Sequence, residues 1–230
     1  MDIRIESLLT GAAGATGVVG IIDVFRAFST AAEALAAGAS RIVMVGSVEQ
    51  ALALRTSGAG QLCMGEVDGR APAGFDLGNS PFEVSRIDVR GKTIIQRTSA
   101  GTQGITAAHG AERLFAAALV TAKATARSMR AGHPGRITLV AMGKNAVERT
   151  DEDELCALHL RNLLEGREGN TEAVRQLILA GGEAGRFNDP MRPWLHPEDL
   201  EIALDIDRHD FAIRVTLEDG RPVARMERTD

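Results

Sequence analysis

The stretch VVGIIDVFRAFSTAAEALAAGASRIVMV, residues 18–45, sets the reading of the whole chain. Residues 18–24 are a compact apolar run after a Gly- and Ala-rich segment, the pattern of a buried strand. Residues 30–37 read as a helix that stops at Gly38, a C′ glycine. Residues 41–45 return to a β-branched, apolar strand. Strand, short helix, strand is the unit of a sheet with parallel strands and helices over its faces.

The same rhythm continues on both sides. Residues 3–8 predict a first strand, with Ile3 and Ile5 alternating with charges. Residues 48–55 predict a helix, 92–96 a strand, and a helix starts near Gly101. Residues 113–119 read as a strand, 122–131 as a helix and 137–142 as another buried strand. Residues 150–164 form a strong helix whose Thr150 and Asp153 have the spacing of a capping box. Further helices are predicted at 171–179 and 197–204. Residues 211–226 alternate around the turn Glu218-Asp219-Gly220, which makes a C-terminal β-hairpin. Residues 65–81 break the pattern with Gly65, Gly69, Gly74, Gly78, Pro72 and Pro81. A loop this long inside a compact domain points to function. There is no linker, low-complexity segment or tandem repeat. Residues 1–230 therefore read as a single α/β domain, three-layer α/β/α, with a largely parallel or mixed sheet and a C-terminal hairpin. A coarse rhythm shared by the two halves hints at internal duplication.

Composition narrows the function. The 230 residues are 44% apolar and 25% charged, which suits a globular core. The formal charge of −5 and the absence of any Lys/Arg run argue against nucleic acid and anionic membranes as partners. No apolar stretch reaches the roughly 20 residues that span a bilayer, and residues 1–9 do not resemble a signal peptide. Cys63 and Cys156 read as reduced thiols of a cytoplasmic protein.

Ligands of such sheets gather beyond the carboxyl ends of strands, and four segments put polar residues there. In Asp23-Val24-Phe25-Arg26-Ala27, a carboxylate and a guanidinium suit a hard cation and a phosphate, or form a local ion pair. In Arg97-Thr98-Ser99-Ala100-Gly101-Thr102, free N–H groups can cradle an anion, or the hydroxyls only cap a helix. Gly65-Glu66 and Gly74-Phe75-Asp76-Leu77-Gly78-Asn79-Ser80-Pro81 allow close backbone approach, with donors on Asn79 and Ser80. Asp76 has the competing role of satisfying loop amides. In Glu152-Asp153-Glu154-Leu155-Cys156-Ala157, the acids complement the helix dipole, and metal binding becomes attractive if the other segments converge there. Signatures of aspartyl phosphatases, cysteine phosphatases, P-loops, serine hydrolases and histidine–zinc sites are missing.

Together and in this order, these segments and Gly91-Lys92-Thr93-Ile94-Ile95 resemble the 2-phosphosulfolactate phosphatase family, over residues 18–165. The block at residues 74–81 is the most specific part. The resemblance implies a three-layer α/β/α hydrolase that uses Mg²⁺ to remove phosphate from 2-phospho-3-sulfolactate, a step toward coenzyme M. It makes Asp23 and Glu66 candidate metal ligands or acid–base groups, with Arg26 and the turn Thr98, Gly101 and Thr102 holding phosphate or sulfonate. Asn79 and Ser80 would shape the pocket, and Glu152 and Asp153 would complete its acidic, metal-binding side. The chain departs from the family pattern at Phe25, Phe28, Val67, Asp68, Ala100 and Thr121. Those departures leave room for a phosphatase of another phosphorylated hydroxy acid, or a silent anion-binding homologue. The retained acids and Arg26 favour an enzyme. A homodimer is compatible with this class of domain.

Overall fold

The computed structural model describes residues 1–228. Its strands are β1 (Asp2–Ser7), β2 (Gly17–Ile22), β3 (Arg41–Met44), β4 (Leu62–Gly65), β5 (Thr93–Arg97), β6 (Ala111–Ala117), β7 (Arg136–Ala141), β8 (Ala212–Glu218) and β9 (Arg221–Glu227). Its α-helices are α1 (Leu8–Gly14), α2 (Ala27–Ala36), α3 (Val48–Thr56), α4 (Pro81–Ser85), α5 (Gly101–Ala107), α6 (Ala122–Arg130), α7 (Asp151–Leu164), α8 (Thr171–Ala180) and α9 (Pro197–Ala203). Short 3₁₀ turns occupy Leu119–Thr121 and Ala184–Asn188.

All the strands join one mixed sheet in the order β1-β7-β2-β6-β8-β9-β3-β5-β4. The flanking groups β1-β7-β2-β6 and β3-β5-β4 are internally parallel. The expected C-terminal hairpin, β8-β9, lies between them and pairs antiparallel with β6 and β3. Strand alternation explains the layering. On β2, Val19 and Ile21 enter one core with Phe28 and Ile105, while Val18 and Ile22 enter another with Met129 and Leu160. On β3, Ile42 and Met44 join the first core, and Val43 and Val45 face Ala51 of α3. Helices thus cover both faces, the three-layer α/β arrangement read from the sequence.

Three elements escaped the sequence pattern. Helix α1 sits in the Gly- and Ala-rich segment, β4 has only four residues without a β-branched one, and α4 is a single short turn after Pro81. Helix α2 begins three residues earlier than its pattern, because the Asp23 side chain accepts the Ala27 N–H at 3.1 Å. The capping box at Thr150 does not form. Asp153 turns away from the helix start and accepts from Val24 N at 2.7 Å and Gly143 N at 2.8 Å, on two other strand ends. Cys63 and Cys156 are both buried and unpaired.

By strand pairing, β5 runs opposite to β2. Sheet twist, roughly 20–25° per strand, accumulates across the five steps between them, and their carboxyl ends lie together. The Gly101 N–H after β5 meets the Asp23 carboxylate after β2 at 2.8 Å.

Gly65 ends β4 at φ +141°, and a Cβ there would collide with the backbone carbonyl of Arg97 on β5. Gly65→Ala is expected to destabilise the fold by about 2–4 kcal/mol and to disturb the adjoining Glu66. Urea unfolding checks this, and a variant within about 0.5 kcal/mol of wild type would refute the steric reading.

Candidate active site

A cavity of about 780 Å³ opens where the strand ends converge. Asp23, Phe25 and Arg26 line it from the end of β2, Glu66 to Arg70 from the end of β4, and Ser99 and Ala100 from the end of β5. Gly143 to Asn145 enter after β7, with Thr150, Glu152 and Asp153 at the start of α7. Asn79 and a strap between α8 and α9, from Glu183 to Leu195, complete the wall. Four widely separated segments singled out in the sequence therefore do meet.

Their roles differ. Asp23 is 6% exposed, with Oδ1 on Ala27 N and Oδ2 on Gly101 N. Burial pushes its pKa up to about 6; the Ala27 N–H opposes this and the nearby Glu66 charge adds to it. Asp153 is equally fastened to backbone, and burial, then the charges of Glu152 and Asp23, push its pKa well above the usual range. Burial raises Glu152 to about 7, with Glu183 adding to the rise. Among the described residues its Oε2 is buried without a hydrogen-bond partner, as are Asn79 Oδ1 and Thr150 Oγ1. Buried polar atoms left open around one cavity are unusual, and they suit an absent polar ligand or water.

Glu66 reaches the cavity but spends its oxygens on protein donors. Oε1 accepts from Ser99 N at 2.5 Å; Oε2 accepts from Gly69 N at 2.7 Å and Ser99 Oγ at 3.1 Å. It ties the loop after β4 to the turn after β5. The expected anion cradle at Thr98, Gly101 and Thr102 lies behind the wall. Thr98 N donates to Thr102 Oγ1 and Thr102 N to Thr98 Oγ1, while Gly101 N belongs to Asp23. Ser80 also sits outside the lining, donating to Asp199 at 2.6 Å. Asp76 lies outside the lining and, instead of a loop amide, accepts from Cys63 N of β4 at 2.8 Å and pairs with Arg55.

The strap carried no signal in the sequence. Phe25 anchors it edge-on against Phe187, with ring centroids 5.1 Å apart. Arg70 lies 4.0 Å over the Trp194 ring, joining the strap to the loop after β4. Gly143-Lys144-Asn145 could have been found by the strand-end rule applied to β7. Seven acids line the cavity against five Arg and Lys residues. Among the described residues, no three His, Cys, Asp or Glu side chains form a ready-made metal cage. The donors instead fit Mg²⁺, which is commonly held by one or two carboxylates, waters and substrate phosphate.

Comparison with known proteins identifies the family. The model of a family described as 2-phosphosulpholactate phosphatase matches residues 5–192. A protein of Bacillus subtilis named probable 2-phosphosulfolactate phosphatase is 31% identical over 196 residues, 82% of this chain and 82% of its own length. Proteins of the same name from Carboxydothermus hydrogenoformans and Thermotoga petrophila are 44% and 39% identical. Those alignments cover 44% and 52% of this chain, and 41% and 50% of the relatives.

The raised acids have a consequence for stability. The folded chain keeps protons on Asp23 and Glu152 that the unfolded chain releases near pH 3.8 and 4.5. Their contribution is therefore full below about pH 4 and is lost as pH rises through the folded values of about 6 and 7. In EDTA, wild type is expected to lose stability across this window. Glu152→Gln should flatten the loss and be more stable by on the order of 2 kcal/mol near pH 7.5. Urea unfolding at several pH values checks it; equal stability of the two proteins near pH 7.5 would contradict the raised Glu152.

Proposed function

The chain belongs to the 2-phosphosulfolactate phosphatase family, and from that premise we propose that it is a Mg²⁺-dependent phosphatase releasing phosphate from 2-phospho-3-sulfolactate. The observation that carries this reading is the cluster of Asp23, Glu152 and Asp153 on one cavity, each with its pKa held up by burial and by neighbouring carboxylates: Glu66 for Asp23, Glu183 for Glu152, and Glu152 and Asp23 for Asp153. Such a cluster holds protons when empty and exchanges them for a divalent cation.

Asp23 and Asp153 are the residues that would hold Mg²⁺, oriented by the backbone N–H groups of Ala27, Gly101, Val24 and Gly143. Each bonded oxygen keeps a second lone pair for the ion. When bound, Mg²⁺ supplies charge neutralisation at the phosphoryl oxygens and lowers the pKa of water. Glu152, with one oxygen free and a pKa near neutrality, is placed to take the proton of the attacking water. Arg26 clamps the phosphate, and Asn79 offers its amide. Arg70 and Lys144 lie on the rim, where a second acidic group of the substrate would end. The strap limits the entry of bulk water. A sulfonate-bearing substrate and a place before coenzyme M rest on the family relationship.

Phosphate release from 2-phospho-3-sulfolactate is expected to need Mg²⁺, to stop in EDTA, and to fall about a hundredfold or more in Asp23→Asn. Activity should climb as pH passes through about 6, where Asp23 ionises. Undiminished turnover in EDTA would remove the metal from the mechanism. Turnover of other phosphorylated hydroxy acids, but not of this one, would reassign the substrate.

A further inference from the structure

Arg26 is fixed from behind by a residue outside the cavity lining. Asp199, fully buried in the first turn of α9, accepts from Arg26 Nη1 at 2.8 Å through Oδ2. Its Oδ1 accepts from Ser80 Oγ at 2.6 Å and Phe82 N at 3.1 Å. The same Arg26 nitrogen donates to the Trp194 carbonyl at 3.1 Å, so the strap and α9 grip one end of the guanidinium. Arg26 itself is 4% exposed, which leaves its side chain little freedom.

We propose that Asp199 is a positioning residue that presents the Nε–Nη2 edge of Arg26 to an anionic group in the cavity. Two observations support this beyond the ion pair. Among the described residues Nε makes no hydrogen bond, and Nη2 makes only a long contact of 3.4 Å to the Gly69 carbonyl. That edge has the fork geometry that matches two oxygens of a phosphate. With Nη1 saturated by Asp199 and Trp194, the edge that remains is the one suited to a bidentate ligand. Asp199 lies beyond residue 192, where the family match ends, and far in sequence from the strand-end motif it supports. The inference rests on the reading of the cavity as a phosphate site.

The competing role is purely mechanical: Asp199 would only fasten α9 to α4 through Ser80 and Phe82. A double-mutant cycle separates the two. Wild type, Asp199→Asn, Arg26→Gln and the double variant are compared in kcat/KM on 2-phospho-3-sulfolactate and, by calorimetry, in the Kd of inorganic phosphate with Mg²⁺ present. Asparagine keeps the shape and an oxygen for Ser80 and Phe82. Asp199→Asn is expected to weaken both quantities by about tenfold or more, since small misplacements of a clamping group are costly. In the Arg26→Gln background the same substitution should change each by less than about twofold. Equal losses in both backgrounds, or none in the wild-type background, overturn the proposal. If Asp199→Asn does not fold, Asp199→Glu, which keeps the charge and shifts the carboxylate by one methylene, replaces it in the same cycle. If wild type binds phosphate but hydrolyses nothing, the phosphatase reading fails while the binding cycle still decides the role of Asp199. A wild type that neither binds phosphate nor turns over the ester overturns both.

Discussion

Asp23 holds two helix starts at once, taking the Ala27 N–H of α2 on one oxygen and the Gly101 N–H of α5 on the other. The rest of the site repeats this device. Asp153 joins the end of β2 to the turn after β7. Glu66 joins its own loop to the turn after β5. Asp199 joins α9 to Arg26 and to the start of α4. Burying a carboxylate is costly unless charge-assisted hydrogen bonds replace water. Here backbone N–H groups left open at strand and helix ends provide much of that replacement. The same bonds fix the acids in place, so the stitching that closes the fold also builds the site.

This stitching explains how an antiparallel insertion is compatible with a strand-end site. In a purely parallel sheet the carboxyl ends share one edge. Here β8-β9 reverses the direction of β3, β4 and β5 relative to β2, yet the carboxyl ends of β2 and β5 still meet, at the Asp23–Gly101 bond. Twist alone would leave the two groups free to adjust. The Asp23–Gly101 bond ties the two groups together where the cavity forms, and the Glu66–Ser99 bond joins the ends of β4 and β5 beside it.

The legible part of the sequence was the part with a period. Alternation and apolar runs marked most of the strands, and the longer helices followed with ends displaced by a few residues. Short elements such as β4 and α4 carry too few residues to show a period. For the site, the sequence pointed to segments more reliably than to atoms. Asp23, Arg26, Glu152 and Asp153 do line one cavity. Yet Thr98 and Thr102 are absorbed in bonding each other, and Glu66 in holding two turns. Which donors a side chain meets is decided by partners tens of residues away, and a local pattern cannot report them. For the same reason the strap and Asp199 had no signal. Their chemistry exists only after α9 has docked on the strand end.

The charge balance of the cavity then bears on what it can hold. An anionic phosphate ester would be repelled by seven acids facing five bases if all were charged. The protein reduces that conflict in two ways. Arg26, which lines the cavity just past the end of β2, is fixed by the Asp199 carboxylate outside the lining, so one end of its guanidinium is taken up and the Nε–Nη2 edge is left. Burial favours the protonated forms of the floor acids, raising Asp23 to about 6, Glu152 to about 7 and Asp153 well above the usual range, which lessens the negative charge facing the ester. Neither measure produces the positive potential needed to gather a doubly charged ester. A divalent cation held by the same acids would supply positive charge there, as the proposed function requires. The proposed cation would reconcile the acidic lining with an anionic substrate, because the carboxylates that alone repel the ester would be the ones that hold the ion.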